Sequence, residues 1–408
     1  MRIFILPGTN DCDNLGDLAM LQVALQRLKA LWPDAMFSVL TDAPDKLEIY
    51  CPRVEPVPWH GCKRWLRAGA LPQFIFPKIR PEMRRRFPVT LKNLPALTGL
   101  LFPPDGRAAR EFAGALFNSD LLVLSGCGMI ADVFRLNAIR MLDTLEAAIR
   151  CDIPTAMLGQ GFGPIRDEKL LHRAAQVLPQ VHVIFIRERP ASLPLLQKLG
   201  VPDENIFVTG DDAIEPAFHE KPAAPGNYLG VNLRLADYAA LDAGILEPVR
   251  AVLAEKARQL GTTLAGIPIL IGDGSSDVNT LHQLLGNADA GGDLDTPLKV
   301  IRRISNCRVV VTGSYHAAVF ALAQGIPVAG IVQSDYYRDK FCGLADQFGD
   351  GCIVLPADDA EFSKKLGAAI DELWTRAGEL KPKLLAAAEC QIAAAQAAYA
   401  WLPGLLRR

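Results

Sequence analysis

VVVTGSYHAAVFALAQGIPVAGIVQS, residues 309–334, contains no Asp, Glu, Lys or Arg. At 26 residues it is long enough to span a bilayer, which takes about 20 apolar residues. Yet Gly313-Ser314-Tyr315-His316 interrupts its first third and Gln324-Gly325-Ile326-Pro327 its second half. Such groups are costly in hydrocarbon and mark turns in water. The segment is therefore read as strand Val309–Val311, helix Ala317–Gln324 and strand Val328–Val332, a buried βαβ unit of a parallel sheet.

The same alternation of short apolar runs and helical periods extends in both directions. Upstream, strand Tyr228–Asn232, a helix near Leu246–Leu260 and strand Ile267–Ile271 restart the cycle after a linker, KPAAPG at 221–226. Before the linker come strand Ile3–Leu6, a helix near Asp17–Leu31 and strands Phe37–Leu40 and Leu121–Leu124. A helix near Asn137–Arg150 and strands Thr155–Leu158, His182–Ile186 and Ile206–Val208 follow. Downstream, the Ala- and Leu-rich tail from about Asp359 to Trp401 reads as helix that could cross back onto the first half. The expected architecture is α/β, with two Rossmann-like domains, 1–220 and 227–358, facing a central cleft and a helical segment at 359–408.

Composition bounds the function. With 408 residues, half of them hydrophobic, the chain can fill two cores. A net charge of −2 gives no general attraction to nucleic acid. The nine cysteines, scattered from Cys12 to Cys390, form no CxxC pair and no zinc-type spacing, which fits a reducing compartment and small buried thiols. MRIFILPG breaks at Pro7-Gly8 and carries no export-signal core. These readings predict a cytoplasmic protein that needs no metal.

Candidate site residues cluster at the carboxyl ends of the expected strands, where open α/β sheets bind ligands. Asn14-Leu15-Gly16-Asp17 closes the first loop, with Asp17 readable as an ordinary helix cap and Gly16 as a turn residue. Gly126-Cys127-Gly128-Met129-Ile130-Ala131 has the spacing of a dinucleotide loop, but the next strand ends in Leu158-Gly159-Gln160 instead of an acidic residue. Its glycines still imply close approach of backbone to a ligand or a helix. Gly159-Gln160-Gly161-Phe162-Gly163-Pro164 is either a flexible rim or a tight turn. His316, at a helix start where the dipole disfavours its cation, is a candidate acid or base, with Ser314 and Tyr315 as hydrogen-bonding neighbours. A lone histidine in apolar surroundings can equally be structural. Arg338 and Lys340, in Asp335-Tyr336-Tyr337-Arg338-Asp339-Lys340, are either a solvated loop or cations that meet an anion. Arg234, beyond Asn232, is a further anion-binding candidate.

In order, these motifs resemble the polysaccharide pyruvyl transferase family: NLGD at 14–17, SGCGMIAD at 125–132, GQGFGPI at 159–165 and RERPASLPLLQKLGVPDENIFVTGDDA at 187–213. GVNLR at 230–234, SYHAAVFALAQGIPV at 314–328 and DYYRDKF at 335–341 continue the likeness, with an extra stretch near 45–110. The resemblance implies a GT-B-like fold and a reaction in which phosphoenolpyruvate, as co-substrate and with no cofactor, gives its three-carbon unit to a sugar diol as a ketal. The acceptor would be a glycan or lipid-linked saccharide precursor of a cell-surface polysaccharide. Arg234 and Lys340 would clamp the donor with Ser314, Tyr315 and Arg338 beside it, and His316 would shuttle protons. Asn14, Gly16, Asp17, Gly126, Gly128, Gln160 and Gly161 would line the acceptor side. The family usually has Arg-Leu-His where this chain has Ser314-Tyr315-His316, and serine cannot replace an arginine's charge or fork. Losing a buried anion partner costs about 2–5 kcal/mol unless another cation, such as Arg234, Arg338 or Lys340, moves in. Two other readings remain open: a glycosyltransferase with a nucleotide-sugar donor, and a non-catalytic member of a polysaccharide assembly.

Between Trp59 and Phe87, Lys63, Arg64, Arg67, Lys78, Arg80, Arg84, Arg85 and Arg86 face one acid, Glu82, with Trp65, Phe74, Ile75 and Phe76 interleaved. This is either a solvated loop or a peripheral contact with anionic lipid at the inner membrane face. Its prolines work against one continuous amphipathic helix.

Overall fold

The computed structural model describes residues 1–67, 106–272, 276–286 and 289–407. Among these, the first half alternates β1 (Arg2–Leu6), α1 (Leu15–Leu31), β2 (Met36–Thr41), α2 (Pro44–Tyr50), β3 (Glu55–Pro58), α3 (Trp59–Arg67), α4 (Gly106–Phe117) and β4 (Leu121–Leu124). It continues with α5 (Arg135–Arg150), β5 (Thr155–Gln160), α6 (Glu168–Val177), β6 (Val183–Ile186), α7 (Arg189–Lys198), β7 (Ile206–Val208) and α8 (Ile214–His219). The strands form one parallel sheet in the order β3-β2-β1-β4-β5-β6-β7. Chain direction across the sheet reverses between β1 and β4, so the loops leaving these two strands diverge and open a crevice.

The second half repeats the plan with β8 (Tyr228–Asn232), α9 (Leu246–Leu260), β9 (Thr263–Gly266), α10 (Asp277–Leu285), α11 (Pro297–Ile304), β10 (Cys307–Thr312), α12 (Tyr315–Ala323), β11 (Val328–Val332), α13 (Asp335–Phe348) and β12 (Cys352–Pro356). Its parallel sheet has the order β12-β11-β10-β8-β9, with the reversal between β8 and β10. The uncharged stretch at 309–334 is thus β10, α12 and β11, and every residue of α12 is buried. No helix among the described residues is long and apolar enough to cross a membrane.

The tail is one helix, α14 (Phe362–Trp401), 40 residues and about 60 Å long at 1.5 Å per residue. Leu366, Ile370, Leu373, Ala377, Leu380, Leu384 and Ala388 recur every three or four positions and form its buried face. Its far end returns to the first half. There the Tyr399 hydroxyl donates to Asp212 Oδ2 at 2.6 Å, and Trp401 packs on Phe207 with ring centroids 5.6 Å apart. Arg27 Nη1 holds the other Asp212 oxygen at 2.7 Å. Tyr399→Phe should therefore lower stability by about 1–3 kcal/mol, because it leaves a buried carboxylate short of a donor. Thermal unfolding checks this, and an unchanged melting temperature contradicts it.

Two expectations need correction. The strand placed at 267–271 is β9 at Thr263–Gly266 instead. Pro268 has no N–H for a ladder. The following residues reach the other domain, where Leu15 N donates to Ile269 O at 2.8 Å and Ile271 N to Asp13 O at 3.0 Å. The segment from Asp335 is not a loop but the start of α13, capped by Ser334, whose hydroxyl accepts from Tyr337 N at 3.3 Å. Within the stretch 45–110, β3 is an edge strand of the first sheet, with Pro56 and Pro58 tolerated there. The basic and aromatic residues at 68–87, and with them most of the proposed lipid contact, lie outside the described residues.

Candidate active site

The two reversal points face each other, and a cavity of about 210 Å³ lies between them. The first domain contributes Asn14, Asp17, Cys127, Gly128, Phe134 and Arg187; the second contributes Arg234, Tyr238, Ser314, Tyr315, His316, Tyr336, Tyr337 and Lys340.

The loop after β1 ends in Asn14, whose Oδ1 accepts from Gly16 N at 3.1 Å and Asp17 N at 3.3 Å. Asn14 is thus the cap of α1, which frees the Asp17 carboxylate to face the cavity. A Cβ on Gly16 would overlap Cγ and Nδ1 of His316. The glycine is therefore the seat on which the other domain's imidazole rests. His316 Nε2 lies 3.6 Å from Asp211 Oδ2 and 3.9 Å from Asp17 Oδ1, and has no hydrogen-bond partner among the described residues.

The loop after β4 splits its glycines between two tasks. Gly126 lets α1 pack against it, since a Cβ there would strike Met20 Cε. Gly128 opens the cavity floor: a Cβ would lie 2.8 Å from Arg187 Nη2, 2.8 Å from Tyr336 Oη and 2.9 Å from Lys340 Cε. A guanidinium, a phenol and an ammonium stem thus converge over one Cα. Helix α5 starts only at Arg135, so this is not the helix N-terminus of a dinucleotide loop.

Arg187 follows the apolar strand β6 and is 1% exposed. Nη1 lies 3.2 Å from Asp211 Oδ2, Nε lies 3.5 Å from Glu188 Oε2, and the guanidinium sits 4.4 Å from the Tyr315 ring centroid. Gly161 makes room for it, because a Cβ there would be 3.0 Å from Arg187 Nε. Burial pushes the Asp211 carboxyl up, but His316, Arg187 and the Ala213 amide outweigh it and hold it below the usual range. For Asp17 burial wins, and its pKa is raised despite His316, Arg187 and Lys340.

Lys340 extends from α13 into a box of rings, with Nζ 4.0 Å from the Tyr336 centroid, 5.4 Å from Tyr315 and 5.7 Å from Tyr337. It donates to the Tyr336 hydroxyl, which in turn donates to Gly128 O at 3.0 Å. No carboxylate of the described residues lies within ion-pair distance of it. Burial first, then the like charge of Arg187, brings its pKa down to about 7.

Other expected site residues stand elsewhere. Arg234 lines the cavity, but Asp277 already holds it at 2.5 Å and 2.8 Å, and its Nη1 donates to the Tyr238 hydroxyl at 2.9 Å. Arg338 lies two residues from Lys340 on a helix, hence on the opposite face. Its ion-pair partner among the described residues is Asp358, at 3.9 Å. Gln160 staples the β4 loop, donating to the carbonyls of Leu124, Ser125 and Leu158 at 3.0–3.2 Å and accepting from Cys127 Sγ. Gln160, Gly161 and Gly126 thus support the lining from behind. Ser314 lines the cavity at the start of α12 but makes no side-chain cap bond, and the Tyr315 hydroxyl is buried without a partner among the described residues. Arg187 and Asp211 received no role from the sequence, although each follows a short apolar strand at the edge shared by the other motifs. No group of three or more His, Cys, Asp or Glu among the described residues could hold a metal.

The fold is shared with epimerases and a glycosyltransferase among solved structures. The UDP-GlcNAc 2-epimerase of Neisseria meningitidis, solved with UDP-GlcNAc, is 12% identical, with all of both chains covered and a TM-score of 0.59. A putative UDP-N-acetylglucosamine 2-epimerase of Listeria monocytogenes is 13% identical over 98% of this chain and 95% of that one, at 0.58. A spinosyn rhamnosyltransferase is 16% identical over 99% of this chain and all of its own, at 0.52. At such identities the likeness establishes the GT-B-like fold alone. No curated protein matches the chain in sequence. The family model described as polysaccharide pyruvyl transferase matches residues 14–335, from the capping Asn14 to the first residue of α13. The chain belongs to the polysaccharide pyruvyl transferase family.

Proposed function

We propose that this transferase moves the pyruvyl group of phosphoenolpyruvate onto a sugar diol of a polysaccharide precursor. The observation that carries this reading is the convergence of Arg187 and Lys340 over Gly128, beside an imidazole whose Nε2 has no hydrogen-bond partner among the described residues. Two cations a short reach apart suit a small donor that bears both a phosphate and a carboxylate. Arg187 supplies the planar fork that Ser314 cannot, from the opposite domain and stacked on the neighbouring Tyr315. In the reaction the donor's methylene carbon gains a proton and its C2 bonds one acceptor oxygen. The C2–O bond to phosphate then breaks, and the second acceptor oxygen bonds C2. One hydroxyl proton balances the carbon protonation and the other leaves with phosphate.

A nucleotide-sugar donor is the second reading, because the similar epimerase was solved with UDP-GlcNAc. The cavity of about 210 Å³ argues against it, since sites enclosing larger ligands usually measure about 300–1,000 Å³.

Thermal-shift titration separates the two readings: stabilisation by phosphoenolpyruvate and not by UDP- or GDP-sugars supports the first, and the reverse overturns it. Turnover is then read as phosphate released from phosphoenolpyruvate with a panel of mono- and disaccharide acceptors. His316→Ala should abolish that release and leave the donor-induced shift largely intact. Unchanged release would reduce His316 to a structural residue.

A further inference from the structure

The reaction proposed above needs a group that gives a proton to carbon and a group that takes one from a hydroxyl. The cavity holds two side chains that can exchange protons, an imidazole and an amine, and their nearest charged neighbours differ in sign. His316 Nε2 faces two carboxylates, Asp211 at 3.6 Å and Asp17 at 3.9 Å. A proton taken up there creates a cation beside negative charge. Lys340 has no carboxylate at ion-pair distance among the described residues. It shares the space over Gly128 with Arg187, so losing a proton there relieves repulsion between like charges.

We propose that Lys340 is the acid that delivers the proton to the donor's methylene carbon, and that His316 is the base that takes the proton from the attacking acceptor hydroxyl. The assignment rests on the pyruvyl-transfer reading. The hydrogen-bond chain sets the direction: Tyr336 commits its own proton to Gly128 O, so its oxygen accepts from Lys340 and offers it no proton. The groups facing the amine are Asp17 from α1, Cys127 from the β4 loop, Arg187 and Glu188 after β6, Tyr315 from α12, and Tyr336 and Tyr337 on its own helix. Without donor, burial and Arg187 leave the amine readily deprotonated. A multiply charged donor placed between Arg187 and Lys340 neutralises that repulsion and draws a proton onto the amine. Binding thus loads the acid. The N–H bond of Lys340 then breaks as the donor's C–H bond forms, while the acceptor O–H bond breaks to His316 and its oxygen bonds C2. His316 returns its proton to solvent or phosphate, and Lys340 is reloaded with the next donor.

The test is calorimetric titration of phosphoenolpyruvate into the full chain in buffers of different ionisation enthalpy, which counts protons taken up on binding. With the amine near 7, the wild-type chain should gain roughly half a proton at pH 7 and nearly one at pH 8. Lys340→Arg keeps the cation but cannot titrate. It should bind the donor within about threefold, lose that uptake, and lose about 100-fold or more in phosphate release with an acceptor from the panel. No proton uptake by the wild-type chain at pH 8, or Lys340→Arg turnover within about threefold of wild type, overturns the assignment and leaves the donor reading standing. A wild-type chain that binds no phosphoenolpyruvate overturns the donor reading and the assignment with it.

Discussion

Gly16→Ala is expected to abolish turnover while both domains stay folded. The methyl group has no free space to enter, because it would coincide with Cγ and Nδ1 of His316. These atoms lie at the base of the ring, next to a backbone fixed in the buried helix α12, so they cannot swing aside as a side-chain tip would. Either the imidazole leaves its place by an ångström or more, or the domains part on that side. Overpacking of this kind costs about 1–3 kcal/mol in stability, which the chain should survive. An ångström of misplacement at the reacting centre costs about 100-fold in rate. Phosphate release measured beside thermal unfolding checks both halves, and a variant with near-normal turnover would show that His316 does not act from this seat.

Arg187→Met should produce the largest loss of stability and the largest loss of donor affinity together. The guanidinium is 1% exposed and stands between Asp211 and Glu188, with the Tyr315 ring against its face. Removing it takes the guanidinium from two buried carboxylates, and losing one partner of a buried pair costs about 3–5 kcal/mol. The side chain also shapes its surroundings. Gly128 and Gly161 both owe their small size to its presence, and the Gln347 side chain donates to its backbone carbonyl from the second domain. Unfolding and phosphoenolpyruvate titration measure the two effects. Normal donor binding in a folded Arg187→Met chain would remove Arg187 from the site. Arg187→Lys separates charge from shape: it should fold better than the methionine variant and still bind donor weakly, because an ammonium lacks the fork.

Much of the scaffold was legible because it rests on short-range signals. The uncharged 309–334 stretch carries its own strand, turn, helix and strand, and the all-apolar Leu121–Leu124 and Val183–Ile186 have the length of buried strands. Boundaries failed where another domain intervened. The apolar run at 267–271 looks like strand, yet its backbone groups bond to Asp13 and Leu15 across the cleft. The site was legible as a place more than as a mechanism. Arg338 and Lys340 look equivalent until the segment is known to be helical, when only one can face inward. Arg234 looks like a free cation until Asp277, 43 residues later, is found beside it. Arg187 carries no role in the sequence, and only the fold shows that it meets a ring, two carboxylates and the floor at Gly128. Gly16 shows why such pairings are hidden: its reason for being glycine lies 300 positions away, in His316.

In the proposed reaction one small anionic donor is gripped from both sides of the cleft, by the first domain's Arg187 and the second domain's Lys340. A crystal structure of the chain with phosphoenolpyruvate tests this most directly. Donor oxygens are expected within hydrogen-bond distance of both side chains above Gly128, with the donor's methylene carbon facing the Lys340 amine. A donor bound elsewhere, or a cleft that takes up only UDP when both compounds are supplied, would contradict it.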